Sequence, residues 1–171
     1  MTSSGTNDIM AKFRALSNGE KVILIAGVVL LIVGFLPWYH AGGGTIEVGG
    51  IAITDVPSVN RSGWQSPGAI WSMLAILIGL ASAGVVLVKN LAKAGTLPDN
   101  IGGMTWPKIH LGAGAAAALF VIIKLLNHSG DLGFGFYLGI ICVAALAGGG
   151  FLMYRDEMAS SSGPPSSGAS A

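Results

Sequence analysis

The chain has 171 residues, of which 52% are hydrophobic and only 10% charged, with a formal net charge of +1. Soluble domains carry roughly a quarter charged residues, so this composition excludes an ordinary water-solvated globule. The near-neutral balance, without a basic cluster, excludes nucleic acid as a partner, and the single cysteine, Cys142, excludes an internal disulfide.

The apolar residues gather in four blocks, about 22–38, 69–88, 109–126 and 134–154. Each is near the ~20 residues that cross a ~30 Å hydrocarbon core as helix. They predict an all-α membrane protein, a four-transmembrane-helix bundle with a small extracytoplasmic β-hairpin. Residues 1–20 are expected to form an N-terminal cytoplasmic or interfacial segment, 21–157 the transmembrane domain, and 158–171 a disordered C-terminal tail rich in Ser, Gly, Pro and Ala.

In the first segment Ile9, Met10, Phe13 and Leu16 fall at helical spacing with Lys12 and Arg14 among them. This describes a short amphipathic helix at the interface, or equally a frayed extension of the first span. Ser17 followed three residues later by Glu20 fits a capping box, so a new helix starts there. It ends in Leu36-Pro37-Trp38-Tyr39 rather than a small-x-small cleavage site, which predicts a retained span and not a signal peptide. Trp38 and Tyr39 are placed at the interface with their polar tips in water.

Two alternating β-branched runs, Thr45-Ile46-Glu47-Val48 and Ile51-Ala52-Ile53-Thr54, flank Gly49-Gly50. A two-residue glycine turn suits a hairpin with primed geometry, with Val48 opposite Ile51 and Ile46 opposite Ile53. An isolated hairpin is marginal in water, so its apolar face is expected to lie on the helix ends, on Trp38 or Trp64, or on a partner. Residues 55–62 are expected to carry the chain back over the surface.

Ser66-Pro67-Gly68 reads as the cap of the second span, bracketed by Trp64 and Trp71. In that span Ala75, Gly79 and Ala83 recur every four residues, a stripe that lets another helix approach closely in lipid. Residues 95–100 form a turn-rich connector, and Thr105-Trp106-Pro107 opens the third span. The third helix, small on nearly every side from Gly112 to Ala118, is expected in the middle of the bundle, with Lys124 extending its amine to the interface. A tight turn at 127–133 leads to a fourth span that opens with the GxxxG pair Gly135 and Gly139.

Lys12, Arg14, Lys21, Lys89, Lys93, Lys108 and Arg155 fall on one side of the spans, and Arg61 and Lys124 on the other. The positive-inside rule then makes both termini cytoplasmic, turns the hairpin outward and places the protein in a plasma (inner) membrane.

Reactive groups are sparse. His40 and His128, with Glu47, Asp55 and Asp131, are the material for an extracytoplasmic metal site, but their spacing matches no ligand motif. His110 sits at the inner end of the third helix, so no two His residues take the mid-membrane positions that axial haem ligation needs. Cys142 has no CxxC partner and reads as a small buried residue. The spans hold no Asp or Glu, which argues against proton-coupled export. The sequons at Asn60 and Asn127 are read as chance matches. No catalytic, cofactor-binding or metal-binding residue is therefore assigned, and no cofactor is expected.

With Leu36-Pro37-Trp38, a Gly-rich loop leading to Gly63-Trp64, and a Gly-rich fourth helix ending in Arg155-Asp156-Glu157, the chain resembles the uncharacterised four-span membrane proteins found widely in bacteria. The resemblance covers about 21–157 and implies a fold and a location but no activity. More distantly the layout is similar to claudin-type tetraspans, from which it departs in its short loop, the missing Leu between Gly63 and Trp64, and the missing loop cysteines.

The expected function is a non-catalytic accessory or scaffold tetraspan that binds the bilayer and a membrane or envelope protein partner, or forms a homo-oligomer. An oligomeric channel or carrier for a neutral or lipid-like solute is the alternative, and an enzyme or metal protein built on His40 and His128 a third.

Overall fold

A computed structural model describes residues 3–41, 43, 45–53, 57–65, 68–91, 97–127 and 132–162. Among the expectations above, the Ser66-Pro67 cap, Thr54, Asp55, Lys93, His128, Asp131 and the tail from 163 onward lie outside the described residues.

The first described element is helix α1 (Ser3–Ala15), which is distinct from α2 (Asn18–Val33). The break is the expected capping box. Ser17 Oγ accepts the Glu20 amide at 3.2 Å, and Glu20 Oε2 accepts the Ser17 amide at 2.9 Å. Helix α2 is shorter than the block that announced it. It ends at Val33, so residues 37–38, expected within the first span, belong instead to strand β1 (Pro37–Ala41). Pro37 has no amide hydrogen to extend the helix, and the Gly34 carbonyl left over at its end accepts the Gly63 amide at 3.0 Å.

Strands β2 (Ile46–Val48) and β3 (Ile51–Ile53) pair antiparallel as Ile46 with Ile53 and Val48 with Ile51, the register expected from the turn. Gly49 and Gly50 both have positive φ, +61° and +79°, as a primed turn demands. Strand β4 (Val59–Ser62), which the sequence did not announce, pairs with β1. After α3 (Ala69–Leu91) a second tight hairpin, β5 (Asn100–Ile101) and β6 (Met104–Thr105), turns on Gly102-Gly103, again with positive φ at both, +58° and +79°. Helices α4 (Trp106–Asn127) and α5 (Phe134–Ser161) complete the order. Helix α5 carries residues 158–161, expected to be disordered, as ordered helix.

Among the described residues, α3, α4 and α5 are long and apolar enough to cross a membrane, which fits an integral membrane protein. The helices pack cyclically: α2 lies against α3 and α5, α4 against α3 and α5, and α3 scarcely meets α5. Helix α4 is therefore not central, and it is the least buried of the three long helices. Smallness on every side did not translate into burial on every side: Gly114 meets the Ala147 backbone of α5, whereas Gly112 faces open space.

The stripe on α3 does pack against a helix. Ala75, Gly79 and Ala83 are buried, and Gly27 of α2 sits so close that a Cβ there would stand 2.5 Å from the Gly79 carbonyl oxygen. Between the helices lie Ile23, Leu30, Ile76, Val86, Val121, Val143 and Leu146, all buried. Outward, each helix is apolar as well: Ile25, Val28 and Ile32 on α2, Leu77 and Leu80 on α3, Leu119 and Ile122 on α4, Ile141 and Phe151 on α5 are exposed. A fold apolar inside and out has hydrocarbon, not water, as its fitting solvent.

Candidate functional site

At the end of the helices where α2 stops, the connecting strands form a cap, and its centre is Trp38. Strand β1 pairs Pro37 with Ser62 and then Tyr39 with Arg61, so Trp38 is the extra residue of a β-bulge. In a regular strand Trp38 and Tyr39 would point to opposite faces. The bulge lets both turn inward, and Trp38 is 0% exposed. Its indole Nε1–H donates to the Val33 carbonyl at 2.8 Å, satisfying both the indole and a helix-end acceptor. The expectation of a wet, interfacial Trp38 is thus overturned. Periodicity and aromatic placement rules carry no sign of a bulge.

Glycines make the room. The GxxxG pair of α5 receives this ring rather than another helix: a Cβ on Gly139 would stand 2.8 Å from the ring edge, and one on Gly135 2.9 Å from Cδ1. The Gly133 amide donates to the Trp38 carbonyl at 2.8 Å, and Tyr39 forms an isolated bridge with Leu132, so the lead into α5 is tied to β1. Phe136 closes the site edge-on to Trp38, with ring centroids 5.7 Å apart.

Lys124 lies against these rings. It does not extend to the interface as expected but is 0% exposed. Its Nζ donates to Ser72 Oγ at 2.8 Å and to the Gly68 carbonyl at 3.4 Å, and stands 5.6 Å from the Trp38 ring centroid and 5.2 Å from that of Tyr39. Ser72 in turn donates toward the carbonyls of Gly63 and Ala69. One ammonium thereby joins α4, the start of α3 and β1. Burial pushes the Tyr39 phenol above its ordinary value.

What projects from this base is the β2–β3 hairpin. Val48 is 56% and Ile51 70% exposed, so their paired side chains do not rest on the helix ends, Trp38 or Trp64. Trp64 packs instead on Phe35, 5.8 Å between ring centroids. Beside the hairpin, His40 is exposed and its Nδ1 lies 2.6 Å from Asn60 Oδ1, its cross-strand partner. Glu47 is exposed on β2, and among the described residues no three His, Cys, Asp or Glu side chains gather closely enough to hold a metal. His128, Asp55 and Asp131 lie outside the described residues.

The opposite end is polar. Glu20 Oε1 accepts from Asn90 Nδ2 at 3.1 Å, and Asn90 also reaches the Val86 carbonyl at 2.8 Å. Thr105 Oγ1 donates to Glu157 at 3.0 Å rather than capping α4, and the Trp106 indole donates to the Pro98 carbonyl at 2.8 Å. His110 is buried beside Trp106, and its Nδ1 has no hydrogen-bond partner among the described residues. Cys142 is buried in α5. No protein-family model matches the chain, nor does any curated protein or solved structure.

Proposed function

We propose that the chain is a four-span integral membrane protein of a plasma (inner) membrane, with both termini cytoplasmic. In this reading it serves as an accessory or scaffold subunit that presents its β2–β3 hairpin to a membrane or envelope protein. The observation that carries this reading is the pairing of a firmly built base with an uncovered apolar tip. Trp38 and Lys124 are fully buried beneath the cap, while Val48 and Ile51 at its end are largely in solvent.

Helix α2 supplies the fourth crossing. Its 16 residues give about 24 Å of helix, short of a ~30 Å core. Residues 34–36 continue the apolar rod, with Phe35 exposed, and neighbouring helices together with local thinning of the bilayer absorb the remainder. Its exposed Ile25, Val28 and Ile32 form an outer face as apolar as those of the three longer helices, which supports a common lipid environment. The basic residues of α1, Lys21 and Lys89 gather at the end opposite the cap, which supports an outward hairpin.

Two measurements test this. Reporter fusions at residue 170 should be active inside and an insertion at the Gly49-Gly50 turn should be accessible from outside; the reverse pattern overturns the orientation. A photo-crosslinking residue in place of Ile51 should capture a protein in the native membrane, and labelling confined to water or lipid overturns the scaffold role.

A further inference from the structure

At the end opposite the cap, the end of α1 meets α2 and α3 around a partly open apolar cavity of about 200 Å³. Its walls are Phe13, Leu16, Leu24, Val86 and Leu87, with Leu16 and Val86 themselves buried. A pocket lined this way offers water no hydrogen bonds and favours an alkyl segment. Its rim differs in kind. Lys12 of α1 and the amide of Asn90 are the polar lining residues.

The surrounding charge is mostly basic. Arg14 follows Lys12 by half a turn, Lys89 precedes Asn90, and Lys21 Nζ is held at 3.1 Å by the Arg14 carbonyl, a neutral acceptor that leaves its charge uncompensated. The nearby carboxylate, Glu20, accepts from the Ser17 amide and from Asn90 and faces Lys89, so it offsets one of these basic charges and leaves the others in excess. An apolar slot with a cationic mouth at the level of the headgroups has the two-part chemistry of an anionic phospholipid.

We infer that the α1–α2–α3 cavity binds one anionic phospholipid, an acyl chain lying between Phe13, Leu24 and Leu87 and the phosphate on Lys12. The inference rests on the membrane reading above. Helix α1 then does more than lie on the bilayer: it closes over a lipid held against the bundle.

Native mass spectrometry of the full chain in detergent, titrated with phosphatidylglycerol and with phosphatidylcholine of equal chain length, tests it. The wild type should bind one phosphatidylglycerol about fivefold or more tightly than phosphatidylcholine, the scale of one basic side chain near a headgroup. Lys12→Glu should remove that preference, and Leu87→Trp, which fills the slot, should weaken both lipids. Lys108→Glu, at the same end but outside the cavity, should leave the preference intact. Equal binding of both lipids by the wild type, or equal losses in the Lys12 and Lys108 variants, overturns the inference. A chain that remains soluble without detergent overturns the membrane reading instead.

Discussion

Replacing Gly27 and Gly79 separately by Ala distinguishes the helix that needs a glycine from the helix that carries the stripe. A Cβ on Gly27 would lie 2.5 Å from the Gly79 carbonyl oxygen and 2.8 Å from the Ala83 Cβ, against a helix backbone that has nowhere to retreat. Comfortable carbon contacts are near 3.5 Å, so α2 and α3 must part by about 1 Å. Overpacking of this kind costs roughly 1–3 kcal/mol, and the obstacle being backbone places it toward the top of that range. Helix propensity returns about 1 kcal/mol on replacing Gly by Ala, leaving a net loss of about 1–2 kcal/mol. At Gly79 the new Cβ presses on Leu146 Cδ1 and Leu30 Cδ2, each at 3.0 Å, the free ends of side chains that can shift by tenths of an ångström, and meets the Gly27 Cα at an ordinary 3.8 Å. The same propensity gain offsets this, and the net change is near zero. Gly84, whose Cβ would meet nothing within 4 Å, is the control and should gain up to about 1 kcal/mol. Reversible unfolding in mixed SDS micelles measures all three. A Gly79→Ala loss equal to or greater than that of Gly27→Ala would refute the packing argument.

Further outcomes follow from the cap. Trp38→Ala should cost about 3–5 kcal/mol by the same assay, and Gly139→Ala about 1–3 kcal/mol because its Cβ would press on the rigid indole; a neutral Gly139→Ala contradicts the wedge. Lys124→Met keeps the apolar stem but loses the Ser72 bond and both ring contacts, so it should be destabilising by about 1–3 kcal/mol, and Lys124→Ala by more. Amides of β1 and β4 should exchange with solvent much more slowly than those of β2 and β3, since only the former pair is anchored in the helices; equal rates would show that the hairpin is equally held. Tyr39 has its phenol pKa raised by burial from 10.0, so the stability this residue gives is present below pH 10 and declines as pH rises beyond it. Tyr39→Phe should flatten that alkaline decline, read as the slope of unfolding stability against pH.

The legible features were those written in short stretches of chain. Gly49-Gly50 between two β-branched runs determines both turn and register, and Ser17 with Glu20 determines a helix start. The same two-glycine signal stood at Gly102-Gly103 and could have located β5 and β6. What escaped depends on meetings across the fold. Nothing near Trp38 in sequence says that Gly63, Gly135 and Gly139 will surround it, and nothing near Lys124 says that Ser72 will accept from it. Rules that assign aromatics and lysines to the interface judge a residue by its distance along a helix. They fail where a bulge re-aims the strand and where a later helix supplies the enclosing wall.

The wall around Trp38 also orders events during biogenesis. Residues that shut the indole away, Gly133, Gly135, Phe136 and Gly139, are synthesised roughly a hundred positions after it. Until α5 has been made, Trp38 lacks that wall, although both rings that Lys124 faces, Trp38 and Tyr39, are already in the chain.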